Sequence, residues 1–112
     1  MVSDWIDVGA VADIPLRGAR VVKSPLGCVA VFRTGENEIF ALEDRCPHAG
    51  GPLSQGIVHG RSVTCPLHNW VISLETGDVA GPDEGQTLAI AAKVEDGRIL
   101  LDRNALVTRN AA

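Results

Sequence analysis

With 112 residues, the chain has room for one hydrophobic core and one domain. A composition that is 46% hydrophobic and 21% charged excludes a disordered chain, and 12 glycines with 6 prolines favour turns over long helices. A formal net charge of −4, from scattered carboxylates, excludes nucleic acid or an anionic membrane as the main partner, because either needs a basic face.

The N-terminal stretch MVSDWIDVGA has no basic region followed by an apolar run and a cleavage site, and no segment approaches the roughly 20 apolar residues of a membrane span. A cytoplasmic location is therefore expected. Short apolar runs rich in Val and Ile then follow at 5–8, 19–22, 28–32, 39–42, 71–74, 88–94 and 99–101, separated by turn residues. RTGENE at 33–38 and EDGR at 95–98 set Gly beside Asn, Asp or Glu between two runs. This is hairpin chemistry, because Gly takes positive φ without a Cβ clash. The expected fold class is all-β, an antiparallel sandwich or small barrel. One domain is expected over 1–102, with a loosely held tail at 103–112. Cys28 lies in GCVAVF, where both strand faces are apolar, and is expected to be a buried small hydrophobe rather than a ligand.

Between the run at 39–42 and the run at 71–74 lies CPHAGGPLSQGIVHGRSVTCPLHNW, residues 46–70, with two of the three cysteines and all three histidines. An odd number of cysteines fits ligation better than a disulfide framework. Cys46-Pro47-His48 and Cys65-Pro66-Leu67-His68 form two short knuckles, each with one thiolate and one imidazole. Zinc fingers instead take a pair of cysteines from one segment and a pair of histidines from another. The alternation suits a centre of two metal atoms, with each loop giving Cys to one metal and His to the other, although a single ion can accept the same set. Soft thiolates with imidazoles suit iron-sulfur or zinc. The stretch is expected to form a pair of loops inserted into the sheet.

Embedded as CPHAGGPL and CPLHNWVISLETG, the knuckles resemble the signature of Rieske 2Fe-2S proteins, in which two cysteines bind one iron and two histidines the other. The resemblance implies a Rieske-type antiparallel β sandwich or small barrel with two cluster-binding loops within 46–70 and a 2Fe-2S cluster as cofactor. It places Cys46 and Cys65 on the inner iron, and His48 and His68 on the outer iron nearer solvent. Rieske subunits of cytochrome bc-type complexes carry a further Cys in each loop, at positions matched here by Gly51 and Leu67, so the chain lacks that disulfide brace and resembles the lower-potential ferredoxin branch. Within the family, CPLHNWVISLETG resembles most closely the small subunit of assimilatory NAD(P)H-dependent nitrite reductase. Ferredoxin components of ring-hydroxylating dioxygenases more often show a Gly and an aromatic after the second His, where Asn69-Trp70-Val71 stands here.

That resemblance implies an electron-transfer subunit of an oxidoreductase complex that reduces nitrite to ammonia in nitrate assimilation. Its partner would be a large catalytic subunit with flavin, an iron-sulfur cluster and sirohaem, or another redox protein. The alternatives are a ferredoxin component of a ring-hydroxylating oxygenase and a structural zinc-binding module. No G-x-G-x-x-G fingerprint, acid-base pair or nucleophile is evident, so no catalytic residue is assigned.

Two neutral imidazoles in place of two thiolates make the centre less negative and raise its potential. An outer histidine that titrates would lower that potential at alkaline pH. Gly50, Gly51, Gly56 and Gly60 either let backbone approach the sulfides or serve only as turn residues, while Pro47, Pro52 and Pro66 stiffen the loops. His59 lies outside the knuckles and is expected to be structural or on the surface. Trp70 is either a shield over the cluster or a core aromatic. Gly81-Pro82 resembles the proline-bearing loop over Rieske clusters, and LETGD at 74–78 reads as a structural turn.

Overall fold

A stretch that is apolar at every position, such as that within GCVAVF, can form a stable strand only if both of its faces are covered. The computed structural model describes residues 5–24, 27–44, 52–65, 70–79 and 85–102. Within these residues run β1 (Trp5–Ala10), β2 (Gly18–Ser24), β3 (Gly27–Arg33), β4 (Ile39–Glu43), β5 (Ile57–His59), β6 (Ser62–Thr64), β7 (Val71–Ser73), β8 (Ala89–Ile90), β9 (Ala92–Glu95) and β10 (Arg98–Asp102). They pair antiparallel into three sheets, ordered β1-β10-β9, β2-β3-β4-β8 and β5-β6-β7. Among the described residues the only helical pieces are short 3-10 turns at Val11–Asp13 and Leu53–Gln55. The all-β antiparallel expectation is borne out.

The alternation along β3 divides the core in two. Val29 and Val31 pack with Ala41, Ile90, Ile99, Leu101 and Ile14, toward the β1-β10-β9 sheet. Ala30 and Phe32 pack with Leu42 and with Leu53, Val58, Val63, Cys65, Ile72 and Leu74, toward the β5-β6-β7 sheet. The β2-β3-β4-β8 sheet is thus a central layer, and each large side chain buried against it contributes about 1.5–3 kcal/mol.

Both expected hairpins form. The β9–β10 turn sets Asp96 at φ 52 and Gly97 at φ 76, the two positive values that a tight hairpin requires. In the β3–β4 turn the positive φ, 65, falls on Asn37 rather than on Gly35. Asn tolerates this region, and its Oδ1 accepts from Arg33 Nε at 2.8 Å.

Three expectations need correction. The run at 88–94 is two strands: Ala89–Ile90 pairs with β4, and Ala92–Glu95 pairs with β10, so the chain changes sheets at Ala91. The stretch between the knuckles contains a hairpin, β5–β6, that passes Val58 and Val63 into the core. Cys28 is exposed, not buried. It pairs with Lys23 beside the Ser24–Gly27 end of the β2–β3 hairpin, beyond the part of β3 that the other sheets cover.

Candidate metal centre

Of the four expected ligands, Cys65 lies among the described residues, whereas Cys46, His48 and His68 lie outside them. Cys65 follows β6 directly and is wholly buried, in the core cluster that holds Leu53, Val58, Val63 and Ile72. Its backbone N–H donates to the Trp70 carbonyl at 2.7 Å. With Thr64 paired to Val71, this bond draws together the ends of the segment 66–69 that carries His68. Trp70 is half-buried against the same cluster. That is the packing of a core aromatic, one of the two roles expected for it.

The segment 45–53, which carries Cys46 and His48, is closed at its base by Asp44 and Ser54. The Asp44 carboxylate accepts from the Ser54 N–H at 2.7 Å and from the Ser54 hydroxyl at 2.8 Å. A third segment, 80–84, contains Gly81-Pro82 and is closed by the Val79 N–H donating to the Gly85 carbonyl at 3.1 Å. Val79 bridges Ile72, and Ile57 pairs with Thr64. The antiparallel register therefore brings the bases of all three segments to one end of the β5-β6-β7 sheet, the end where Cys65 sits.

Gly56 marks how tightly this end is built. A Cβ there would run into the Thr64 carbonyl and to within 2.8 Å of Val63 Cγ2. The close approach is between two stretches of backbone, so Gly56 is there for packing beside Cys65. Gly60 is different. It lies in the β5–β6 turn, at the opposite end of that hairpin from the closed segments, with φ 56 and no neighbour to a Cβ, and is a turn residue only. Gly50, Gly51, Pro47, Pro66 and Leu67 lie outside the described residues, and Pro52 directly precedes the 3-10 turn at Leu53–Gln55. The LETGD turn is structural, as expected: Gly77 has φ 82, and a Cβ there would meet the Thr87 carbonyl. His59 is exposed on β5, its Nε2 2.7 Å from Thr64 Oγ1, in keeping with a surface role.

The far end of the hairpin carries a small network of ion pairs. Arg61 reaches Glu38 at 2.7 Å and Glu75 at 3.4 Å. Hydrogen bonding to Glu38, with help from Glu75, holds its guanidinium above the ordinary arginine range. A groove of about 410 Å³ lined by Arg17, Glu36, Glu38 and Arg61 lies there, away from Cys65. Among the described residues no three His, Cys, Asp or Glu side chains gather around a common point.

The donor chemistry fits a two-iron centre. Cys65 supplies a thiol shut away from water at the mouth of two closed segments, and each segment carries a further imidazole. A family model for the Rieske [2Fe-2S] domain matches residues 4–95. The chain belongs to the Rieske [2Fe-2S] family. Its cofactor is accordingly a Rieske-type 2Fe-2S cluster, which sets the zinc module aside, and the chain is an electron-transfer domain.

This Rieske domain is 30% identical over 102 residues to the ferredoxin component of the naphthalene 1,2-dioxygenase/salicylate 5-hydroxylase systems of Ralstonia sp, covering 90% of this chain and 97% of that one. It is 28% identical over 100 residues to cholesterol 7-desaturase of Hemicentrotus pulcherrimus, covering 86% of this chain and 21% of that protein. The chain thus spans about a fifth of the desaturase and nearly all of the ferredoxin component. Among solved structures, it superposes with TM-score 0.79 and 27% identity on a chain of the complex of reduced oxygenase and oxidized ferredoxin in carbazole 1,9a-dioxygenase, covering 91% of this chain and 95% of that one. A putative NADH-dependent nitrite reductase small subunit from Mycobacterium tuberculosis shares the fold, with TM-score 0.79, 24% identity, and coverage of 90% and 96%. No helix among the described residues is long and apolar enough to cross a membrane.

Proposed function

We propose that this Rieske domain is the electron-transfer small subunit of an NAD(P)H-dependent nitrite reductase, with Cys46 and Cys65 holding one iron and His48 and His68 the other. The observation that carries the reading is the sequence from the second knuckle onward, CPLHNWVISLETG, in which Asn-Trp-Val follows the second His. When bound, the cluster supplies a one-electron store of intermediate potential. The chain's own part is to hold and shield that store. Cys65 offers its thiolate from a dry core, and Trp70 packs beside it. The Thr87–Gly77 backbone contact fixes the turn that follows β7.

The partner on this reading is a large subunit with flavin, an iron-sulfur cluster and sirohaem, working in the cytoplasm without nucleic acid or membrane. Reduction of nitrite to ammonia belongs to that assembly. Residues 1–102 act as one domain, and 103–112 as its tail. A second reading, a ferredoxin that feeds a ring-hydroxylating oxygenase, is favoured by the Ralstonia relative, whose length this chain matches almost completely.

The test adds the purified holoprotein to a sirohaem-containing reductase subunit with NAD(P)H, and separately to a hydroxylase with its reductase. Nitrite reduction that depends on the added chain, and disappears with Cys46→Ser or His68→Ala along with the visible spectrum, supports the first reading. Nitrite reduction that persists with the cluster-free variants refutes it. Turnover of the hydroxylase alone assigns the second.

A further inference from the structure

The chain enters its first knuckle from the central sheet and leaves it into the core around Cys65, so whatever joins those two points governs where Cys46 stands relative to Cys65. Asp44 is fixed to the central sheet by its own N–H, which donates to the Cys28 carbonyl on β3 at 2.9 Å. Leu53, at the far side of the segment, is wholly buried in the cluster that contains Cys65. Between them, both oxygens of the Asp44 carboxylate are used on Ser54, one on its N–H and one on its hydroxyl. Cys46 follows Asp44 by two residues, at most about 7 Å of extended chain. The anchor thus lies two residues from a proposed ligand.

We propose that Asp44 and Ser54 are a positioning pair for the cluster: their two hydrogen bonds lock the entry and exit of the segment 45–53, and so set the placement of Cys46 and His48 against Cys65. The proposal rests on the reading of Cys46 and His48 as ligands. Neither residue of the pair is assigned to the metal. Hydrogen bonds to a charged acceptor are the stronger kind, and pairs of them fix direction as well as distance. Opening the clamp gives the segment back its conformational freedom and loosens both ligands together.

The experiment uses the full-length holoprotein and follows cluster release to an iron chelator by loss of visible absorption, together with the EPR line shape of the reduced protein. Asp44→Ala is expected to release the cluster roughly tenfold faster, the ratio that loss of hydrogen bonds to a charged group commands, and to broaden the EPR signal. Asp44→Asn should release the cluster much more slowly than Asp44→Ala, because an amide can still accept from the Ser54 N–H and donate to the Ser54 hydroxyl, though without the charge. Ser54→Ala, which keeps only the backbone bond, should fall between them. Arg61→Gln is the control, as it removes ion pairs at the opposite end of the hairpin and should leave release and line shape unchanged.

Release from Asp44→Ala and Ser54→Ala within twofold of wild type, with an unchanged signal, overturns the proposal. So does an Asp44→Asn rate as fast as that of Asp44→Ala, or an Arg61→Gln rate as fast as that of Ser54→Ala. If Asp44→Ala fails to fold, Ser54→Ala and Asp44→Asn decide by the same criteria. A Cys46→Ser protein that keeps the wild-type cluster would instead remove the ligand reading, and the proposal with it.

Discussion

A single methyl group placed at Gly56 would have to share space with the Thr64 carbonyl, one residue before Cys65. Overpacking of this kind costs about 1–3 kcal/mol. We therefore expect Gly56→Ala to lower the melting temperature and to weaken cluster retention together. Gly60→Ala, in open space at φ 56, should cost only the strain of the left-handed region, about 1–2 kcal/mol, and leave the cluster in place. Thermal melts and iron content of the two variants check this, and equal cluster loss in both would contradict it. Sequence alone treats these two glycines alike, because composition does not say what faces a missing side chain. It also misjudges Cys28, whose apolar neighbours continue toward the core while the residue itself sits near a hairpin end. The knuckle motif is legible without any structure, since donor type and spacing are written directly in the chain. Only Cys65 of its four residues falls where its surroundings are described.

Elements were legible wherever one apolar run coincided with one strand, as in β3 and β4. The run at 88–94 defeats this logic because periodicity carries no record of a change of partner at Ala91. The β5–β6 hairpin was hidden for another reason: its strands, Ile57–His59 and Ser62–Thr64, are too short to show a period, although Val58 and Val63 are both buried. Pairing between the first and last strands brings a pH prediction. Arg98 on β10 donates to both oxygens of Asp7 on β1, at 3.0 Å each. These bonds, and then the Gly9 N–H, hold the Asp7 carboxyl below its ordinary value of 3.8. A carboxyl with a lowered folded value stabilises the fold above its unfolded value and loses that contribution as pH falls through the folded one. Asp7→Asn should therefore be less stable than wild type near neutral pH, by a small amount because the pair is exposed. The gap should close as the pH falls through that lowered folded value. Urea midpoints measured across this range check it, and a gap that widens on acidification would contradict the assignment.

At the scale of the molecule, the outer sheet β1-β10-β9 and the central sheet form a frame, and the β5-β6-β7 sheet carries every closed segment at one end. The frame is fixed by burial on both faces of β3. The β5–β6 turn lies at the other end of its hairpin from Cys65. Arg61→Gln, which cuts the ties from the β5–β6 turn to Glu38 and Glu75, should shift a denaturant melt only slightly, because these pairs are exposed, and leave the visible spectrum intact. Bleaching of the cluster by this change would mean that the two ends are coupled.

The most direct measurement of the central claim is pulsed EPR of the singly reduced holoprotein. Two histidine ligands on one iron predict hyperfine couplings from two directly bound nitrogens on a two-iron signal. A two-iron signal without bound-nitrogen couplings would mean that His48 and His68 are not ligands, and would contradict the account at its root.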